Sequence, residues 1–436
     1  MAWQLTLVLL FASLIAMMMT GMPIFMAFLA VDFVGLILCF GEYGLQQFVL
    51  SITSSLSTFT LVPIPMFVLL GEVLFLTGIA GKVLDVLDEW LGRLPGRLGL
   101  LSMFAGTIFA ALTGSSNAST ALLGTMLVPE MDKQGYSKSM SLGPVLGSGG
   151  LAILIPPSSL AIMLAAIGEI NVSRLLMAII VPGILVAILG CIYIIGRCII
   201  NPNLAPAYEV KKVPLKKKLI DTAKYILPLF LILFSVIGVV LLGIATPSEA
   251  AACGTLAAFI LAACYGKLNF KVIKLAIIDT IKNSAMILII IAMSTTFSQI
   301  LAYSGAAAGL TRWATSLNAA PLVVIGGMMV VVAIMGGFMS LTSIMLITLP
   351  IFLPVVKSLG FDTVWFGVIF LINIEMAMLT PPLGTNLYVM LGVAPKGTTI
   401  VEVIKAAVPF IIIDCLAIVL IMFIPDIALW LPSLMR

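Results

Sequence analysis

Residues 98–129 of the chain read LGLLSMFAGTIFAALTGSSNASTALLGTMLVP, 32 positions without a charged side chain. A membrane-spanning helix needs about 20 apolar residues, so this run is too long for one span and too short for two spans with a loop. Polar residues at 114–120 (GSSNAST) interrupt its middle. Non-helical backbone at membrane depth is stable only where it is buried in protein or lines a cavity. The stretch therefore predicts two half-length helices that meet at a polar tip inside the bilayer.

The composition is typical of a polytopic membrane protein, with 62% hydrophobic residues, 9% charged residues and a mean hydropathy of +1.27. The sequence has no histidine, which excludes Ser-His and Cys-His nucleophile pairs, HExxH zinc sites and histidine proton relays. It has no Walker A motif, so we expect no ATP hydrolysis through a P-loop. Because histidine is missing and no single motif holds a pair of acids, we do not expect an enzyme. The six cysteines lie in apolar runs without a CxxC spacing and are interpreted as small buried hydrophobic residues. The predicted fold class is an all-α polytopic membrane protein. We expect it to lie in a lipid bilayer and to bind no nucleic acid.

Features of the first half of the chain return 225 positions later. Pro129, Gly135 and Pro156-Pro157 recur as Pro354, Gly360 and Pro381-Pro382, and Ser115 recurs as Ser340. Chance similarity between apolar helices does not keep three prolines and a glycine in one register. Internal repeats of this kind mark secondary transporters, whose sites lie at broken helices in corresponding positions. We therefore divide the chain into a first repeat (1–200), a basic linker (201–221) and a second repeat (222–436).

Each repeat is predicted to hold about five spans and a re-entrant helical hairpin. The hairpins are predicted at about 98–131 and 321–356, and a broken helix follows each of them, at about 139–168 and 362–392. Double prolines interrupt both broken helices, because proline lacks the amide hydrogen that a helix needs and clashes with the preceding turn. Residues 41–60, rich in Ser, Thr and Gln, are interpreted as an interfacial segment.

The distribution of basic residues predicts the orientation in the membrane. With five crossings per half, 18 of the 22 lysines and arginines fall on one side and four on the other. Basic residues favour the cytoplasmic side, so the linker is predicted to be cytoplasmic and both termini periplasmic. Five crossings also make the two repeats inverted copies, with the first hairpin entering from the cytoplasm and the second from outside.

The broken elements offer groups that bind ions. A half-helix has free N–H groups at its N-terminus, which suit a carboxylate, and free carbonyls at its C-terminus, which suit Na⁺ together with hydroxyl and amide oxygens. Such side chains are Ser115, Ser116, Asn117, Ser119, Thr120, Ser158 and Ser159 in the first half, and Ser340, Thr342, Ser343, Thr380, Thr385 and Asn386 in the second. For any single hydroxyl the alternative is a hydrogen bond to its own helix. The clusters, however, coincide with the Gly and Pro breaks and repeat.

Acids in apolar surroundings are the other candidates: Asp32, Glu72, Glu249, Glu375 and Asp414. Intramembrane carboxylates are functional candidates by default. Glu249 follows Thr246-Pro247-Ser248 and is predicted to stabilise a helix N-terminus. Glu375 lies one turn before the second proline pair, where it either holds the unwound segment or belongs to the site. Asp32 and Glu72 equally fit helix ends, and Asp414 fits a neutral or paired group.

Four segments, in order along the chain, resemble signatures of the large membrane subunit of tripartite ATP-independent periplasmic (TRAP) transporters, the DctM-like family. They are residues 114–120, 154–158, 243–252 and 373–387. The resemblance covers essentially the whole chain. It implies an elevator-type fold of the ion transporter superfamily, in which a scaffold stays fixed while a domain with both hairpins slides across the bacterial inner membrane.

The resemblance also implies partners and ligands. Na⁺, two or more ions, would drive uptake of an organic acid that a periplasmic substrate-binding protein delivers, and a small four-helix membrane subunit would complete the complex. One Na⁺ would lie at Ser115, Ser116, Asn117, Gly149, Pro157 and Ser158, and another at Ser340, Thr380, Pro382, Gly384 and Asn386. The substrate carboxylate would lie between the tips, at Ser116, Asn117, Ser158, Thr342, Thr385 and Asn386.

Ser340 departs from the family pattern, because many members carry an Asp at this position of the second tip. The second site is therefore less negative here, and we expect the tighter ion site at the first tip. The alternative function is a stand-alone divalent-anion/Na⁺ symporter of the same superfamily, which needs no binding protein. A channel or a membrane-embedded enzyme fits the interrupted repeats and the absence of histidine less well. C4-dicarboxylates, keto acids, sugar acids and sialic acid all fit as substrates.

Overall fold

The computed structural model describes residues 3–92, 94–156, 158–206, 213–316, 319–382 and 384–435, without the side chains of residues 80 and 110–113. These residues form 22 α-helices and no β-strand. Eight helical segments among them are long and apolar enough to span a membrane, and a bent helix pair adds a ninth. The predicted all-α, multi-span fold class is confirmed.

The helices of the two halves have the following bounds. The first half contains α1 (Trp3–Met19), α2 (Ile24–Phe40), α3 (Gly44–Leu56), α4 (Pro63–Leu76), α5 (Ile79–Leu91), α6 (Arg97–Thr113), α7 (Ser116–Lys133), α8 (Lys138–Leu154), α9 (Ser159–Ile167), α10 (Val172–Ala178) and α11 (Ile180–Ile200). The second half contains α12 (Leu215–Asp221), α13 (Leu227–Leu241), α14 (Pro247–Cys264), α15 (Phe270–Tyr303), α16 (Ala306–Ser316), α17 (Pro321–Gly336), α18 (Leu341–Ser358), α19 (Thr363–Met378), α20 (Thr385–Val393), α21 (Ile400–Phe423) and α22 (Asp426–Ser433).

The helix bounds recur at the spacing seen in the sequence. Helix α18 begins and ends 225 positions after α7, and α19 begins 225 positions after α8. A helix pair occupies each predicted hairpin, α6 with α7 and α17 with α18. The halves differ in where helices break. For example, α3 and α4 of the first half, separated at Ser57–Val62, correspond to the single 34-residue helix α15 of the second.

The helices pack in two groups. An outer group consists of α1–α5 and α13–α16, and a hairpin group consists of α6–α11 and α17–α22. The groups meet where α5 packs against α6, where α16 packs against α18, and where α4 and α15 face α6, α9 and α18. Large apolar side chains such as Leu38, Phe234 and Ile334 are exposed on the helix surfaces, as lipid contact requires. Polar side chains at the boundary between the outer group and the hairpin group are therefore candidates for a binding site.

The prediction for residues 41–60 missed a packed helix. Helix α3 returns beside α2, where the rings of Phe33 and Phe48 lie 6.5 Å apart. It also packs against α15 through a buried hydrogen bond of 2.9 Å between the hydroxyls of Ser51 and Thr296. The serines and threonines of this segment thus serve helix–helix contacts, as is common in membrane proteins.

Small residues allow close helix crossings in the hairpin group. Helices α8 and α19 lie at its centre, and every residue of α19 from Val364 to Met378 is buried. A Cβ on Gly147 of α8 would lie 2.0 Å from the ring of Phe410 on α21. A Cβ on Gly336 of α17 would lie 2.2 Å from the Cβ atom of Ala377 on α19. These helices approach one another closely because the glycines carry no side chain.

We expect Gly147→Ala to destabilise the protein by about 1–3 kcal/mol, because the Phe410 ring is buried and overpacking forces helices apart. Gly196→Ala on α11 is the matched control, since nothing lies within 4 Å of an added Cβ there. Alanine favours a helix over glycine by roughly 0.5–1 kcal/mol, so the control should be neutral or more stable. Thermal unfolding of both purified variants in detergent measures the difference, and equal melting temperatures would contradict the close crossing.

Candidate functional site

The first tip is a tight turn between two helices. Helix α6 ends at Thr113, Gly114 adopts the left-handed conformation (φ +56°) that glycine tolerates, and α7 begins at Ser116. Ser115 caps α7: its hydroxyl accepts a hydrogen bond of 3.5 Å from the backbone N–H of Ala118. The turn places the polar residues of the opening stretch at the N-terminus of α7, where the helix dipole is positive.

The first broken helix meets this tip. Helix α8 ends at Leu154, α9 begins at Ser159, and the two are bent by 47°. The Ser158 hydroxyl caps α9 by accepting from the Ala161 N–H at 3.2 Å. The Ser159 hydroxyl donates to the carbonyl of Gly114 at 3.3 Å, so a side chain of the break binds a free carbonyl of the tip. Pro157, assigned to the first ion site, lies outside the described residues.

The second half builds a counterpart. Ser340 caps α18: its hydroxyl accepts a hydrogen bond of 3.3 Å from the backbone N–H of Ser343. The hydroxyls of Ser340 and Ser343 also share a hydrogen bond of 2.7 Å. A Cβ on Gly337 would lie 2.9 Å from the carbonyl oxygen of Pro381, so the second tip rests against the second break. Thr380 donates to the carbonyl of Met376, in its own helix, at 2.9 Å. At Thr380 the structure therefore favours the alternative of a hydroxyl bonded to its own helix.

Residues assigned to the second ion site are only partly buried. Gly384 and Asn386 are buried, whereas Ser340 and Pro382 are exposed and Thr380 is half-buried. This arrangement brings the second tip to an open face of the hairpin group, unlike the first tip.

A cavity of about 430 Å³ separates the tips from the outer group. Its polar lining consists of Ser115, Ser116 and Asn117 from the first tip, Ser159 from α9, Thr342 from α18, Glu72 from α4 and Asn283 from α15. The Asn283 amide donates to the Glu72 carboxylate at 3.3 Å. Most of the remaining lining is apolar, including Phe67, Met163 and Ile287. A few converging polar groups in a largely apolar pocket are typical of a small-molecule site.

Three helix N-termini converge on this cavity. Helices α7, α9 and α18 begin at Ser116, Ser159 and Leu341, and all three residues line it. Each N-terminus presents free N–H groups and a partial positive charge, which together bind anions. The hairpin side of the cavity can therefore bind a carboxylate without a lysine or arginine.

Only some of the predicted substrate residues line the cavity. Ser116, Asn117 and Thr342 do, whereas Ser158 is fully buried behind it and Thr385 lies away from it. Adjacent residues of the tip also differ: Asn117 is exposed, and Ser116 is 3% exposed. Both residues line the cavity, but Asn117 is open to it whereas Ser116 is almost entirely buried.

Asn386 lies behind the first tip, although the resemblance groups it with the second. Its amide donates a buried hydrogen bond of 2.7 Å to the Ser116 hydroxyl, 270 positions away. Helix α20 packs along α7 and makes this contact available. The first tip therefore includes a residue from the other half of the chain.

The inner face of α7 carries buried oxygens that lack partners. Within the part of the chain that the structure describes, no hydrogen bond reaches the hydroxyls of Ser119 and Thr120, the amide oxygen of Asn386 or either carboxyl oxygen of Glu375. A Cβ on Gly149 would lie 1.9 Å from the Thr120 hydroxyl and 3.4 Å from the Ser116 carbonyl oxygen. Buried polar atoms without partners are costly, and oxygen donors alone suit an alkali cation. Ser116 and Gly149 of the predicted first ion site therefore lie on this inner face together with Asn386, which was assigned to the second ion site.

Sequence reasoning missed two residues that line the cavity. It did not assign Asn283, and it left Glu72 as a residue that fits a helix end. Asn283 gave little signal in the sequence, because Asp279 and Lys282 stand beside it in the charged first part of α15. Its hydrogen bond to Glu72 is visible only in the structure.

Comparison with known proteins gives a consistent family. A family model described as Tripartite ATP-independent periplasmic transporter, DctM component, matches residues 11–427. The C4-dicarboxylate TRAP transporter large permease protein DctM of Pseudomonas aeruginosa is 31% identical over 91% of this chain and 92% of its own length. Its namesake in Rhodobacter capsulatus is 31% identical over 98% of both chains. The 2,3-diketo-L-gulonate TRAP transporter large permease protein YiaN of Escherichia coli is 28% identical over 93% of this chain and 94% of its own.

Two solved structures share the fold. The Alcanivorax borkumensis YdaH transporter superposes with a TM-score of 0.63 at 17% identity, over 91% of both chains. Neisseria gonorrhoeae MtrF superposes with a TM-score of 0.61 at 14% identity, over 88% of this chain and 85% of that one. At such identities the likeness concerns the fold alone.

Thiol labelling tests the difference in exposure between Ser116 and Asn117. In a background without the six native cysteines, Asn117→Cys should react with a water-soluble maleimide about tenfold faster than Ser116→Cys, because reactivity follows exposure. The two positions share one helix terminus, so each serves as the control for the other. Equal or reversed rates would contradict the placement of the tip.

Proposed function

This chain belongs to the DctM component family of tripartite ATP-independent periplasmic transporters, and from this membership we propose that it carries an organic acid into the bacterial cell with Na⁺. The relatives are named as transporter permeases, so the chain is a transporter subunit and not an enzyme. Its family and its helical spans support a location in the inner membrane. Two of the relatives described above are named for C4-dicarboxylates and one for 2,3-diketo-L-gulonate, and all of these are carboxylates.

The observation that carries the proposal is the convergence of three helix N-termini on one cavity. The free N–H groups of α7, α9 and α18 orient a carboxylate from the hairpin side. The apolar lining from α4 and α15 excludes water from the rest of the substrate. In this arrangement Asn117 and Thr342 contact the substrate from the two tips.

Coupling to Na⁺ is supported by the oxygens without partners behind the first tip. Ser116, Gly149 and Asn386 would hold the ion there, with Thr120 beside them. Bound Na⁺ would be the partner that these buried oxygens lack, and it would fix the orientation of the tip. The exposed residues Ser340, Pro382 and Thr385 with Gly384 form a second, more open candidate.

Movement of the hairpin group against the outer group would provide an elevator mechanism. The repeat of helix bounds at 225 positions supports two inverted repeats, each contributing one hairpin. The cavity lies at the boundary between the groups, so sliding of one group would carry the cargo with it. The continuous helix α15 suits a fixed wall against which the tips move.

The proposal includes orientation and partners. The basic linker 201–221 would face the cytoplasm and both termini the periplasm, as the distribution of basic residues favours. The family description names a tripartite system. A periplasmic substrate-binding protein and a small four-helix membrane subunit would therefore complete the transporter.

Uptake of a labelled organic acid into proteoliposomes with both partners tests the function. Uptake should require an inward Na⁺ gradient and the binding protein. Uptake without the binding protein would instead support a stand-alone Na⁺ symporter, and uptake without a Na⁺ gradient would contradict Na⁺ coupling. Potassium in place of sodium is the ionic control.

Two asparagine variants separate the ion site from the substrate site. Asn386→Ala should abolish Na⁺-driven uptake, because it removes the bridge to Ser116. Asn117→Ala should raise the substrate concentration for half-maximal uptake about tenfold, the loss expected for one hydrogen bond to a charged group, with an unchanged Na⁺ requirement. Asn201→Ala, at an exposed position after α11, is the control and should behave as the native protein. Normal Na⁺-driven uptake by Asn386→Ala would remove this residue from the ion site.

A further inference from the structure

Glu375 is a buried acid that the proposed function does not use. It lies on α19, six residues before the second proline pair, and is 2% exposed. Its carboxyl group lies beside the Ser116 hydroxyl, and no lysine or arginine pairs with it among the residues that the structure describes. A carboxylate buried without a positive partner costs several kcal/mol, so ionised Glu375 needs a cation.

The position of Glu375 is fixed by close packing against α8. A Cβ on Gly150 would lie 1.9 Å from its Oε1 atom, so the absence of a side chain at this glycine leaves the space that the carboxyl group occupies. The neighbouring residue, Gly149, makes the same kind of space for the Thr120 hydroxyl. Two adjacent glycines thus leave room for two buried oxygen atoms, the Thr120 hydroxyl from α7 and the Glu375 carboxyl oxygen from α19.

These donors are continuous with the inner face of the first tip. Ser116 neighbours Glu375 and also accepts the hydrogen bond from Asn386. The amide oxygen of Asn386 and the hydroxyl of Thr120 are buried without partners. Oxygens from α7, α19 and α20 therefore surround one region, and α8 supplies glycines that leave room for them.

No positively charged side chain faces Glu375 among the described residues. The titratable side chain that faces it is Asp414 on α21, a second buried acid. Helices α7, α8 and α20 present Ser116, Gly150 and Asn386, which carry no charge. The alternative that Glu375 holds the unwound segment lacks a hydrogen bond to support it.

We propose that Glu375 is a carboxylate ligand of the Na⁺ held behind the first tip, together with Thr120 and Asn386. The proposal rests on the Na⁺ coupling proposed above and adds a formal negative charge to that site. The ion and Glu375 would then form a neutral pair inside the hairpin group. Such a pair avoids the cost of moving a bare charge through the membrane.

Stabilisation of the purified full-length protein by Na⁺ tests this assignment without any transport assay. Melting temperature is measured over a NaCl series, with choline chloride keeping the ionic strength constant, because an ion that binds the folded state raises it. For Glu375→Gln the Na⁺ concentration at half-maximal stabilisation should rise at least about tenfold, since one charged ligand is lost.

Asp32→Asn is the matched control. Asp32 on α2 is also a fully buried acid whose two oxygens have no partner in the described structure, and it lies in the outer group. Both variants remove a buried carboxyl group, and both are free to change the basal melting temperature. Only Glu375→Gln should change the Na⁺ concentration needed, and Asp32→Asn should keep the native value.

The outcomes distinguish this inference from the proposed function. A Na⁺ requirement of Glu375→Gln equal to that of the native protein would overturn the inference and leave Na⁺ coupling intact. A native protein that Na⁺ does not stabilise would contradict Na⁺ coupling itself and this inference with it. If Glu375→Gln does not fold, Thr120→Val decides: a higher Na⁺ requirement supports the site, and a native value overturns it.

Discussion

Backbone groups that leave a helix inside a membrane must find partners within the protein, and the tips of this chain depend on that constraint. The free carbonyl of Gly114 accepts a hydrogen bond from Ser159, a residue of the adjacent break. The serines at 115, 158 and 340 each accept a hydrogen bond from the third N–H group of α7, α9 and α18. Each irregular segment is therefore stable because another one lies against it, and the N–H groups that precede the capped ones stay free at the cavity.

Local features of the sequence predicted where the helices of the two hairpins lie. An uncharged run of awkward length with GSSNAST in its middle predicted the pair α6 and α7, and the helix pair has nearly the predicted bounds. Proline and glycine at one spacing predicted a second hairpin at about 321–356 and a broken helix at about 362–392, where α17 to α20 lie. These features were readable because they are local: a proline interrupts a helix wherever it lies, and a charge-free run of given length allows few structures.

Side-chain directions and contacts between distant segments could not be read in the same way. The sequence placed Ser116 and Asn117 together, but one helical step of about 100° leaves Ser116 almost entirely buried and Asn117 open to the cavity. The pairing of Asn283 with Glu72 joins helices that the sequence gives no reason to place side by side. Glu375 looked ambiguous because only packing reveals that Gly150 leaves room for its carboxyl group.

The hydrogen bond from Asn386 to Ser116 has a consequence for how the protein can change over time. It joins positions that are far apart in the gene, one in each half of the chain. A substitution at either position exposes the other to selection, because a buried amide that loses its partner is costly. The two halves share one helix pattern, yet Ser116 and Asn386 cannot change independently of each other. A gene fragment that encodes one half alone would specify an incomplete first tip.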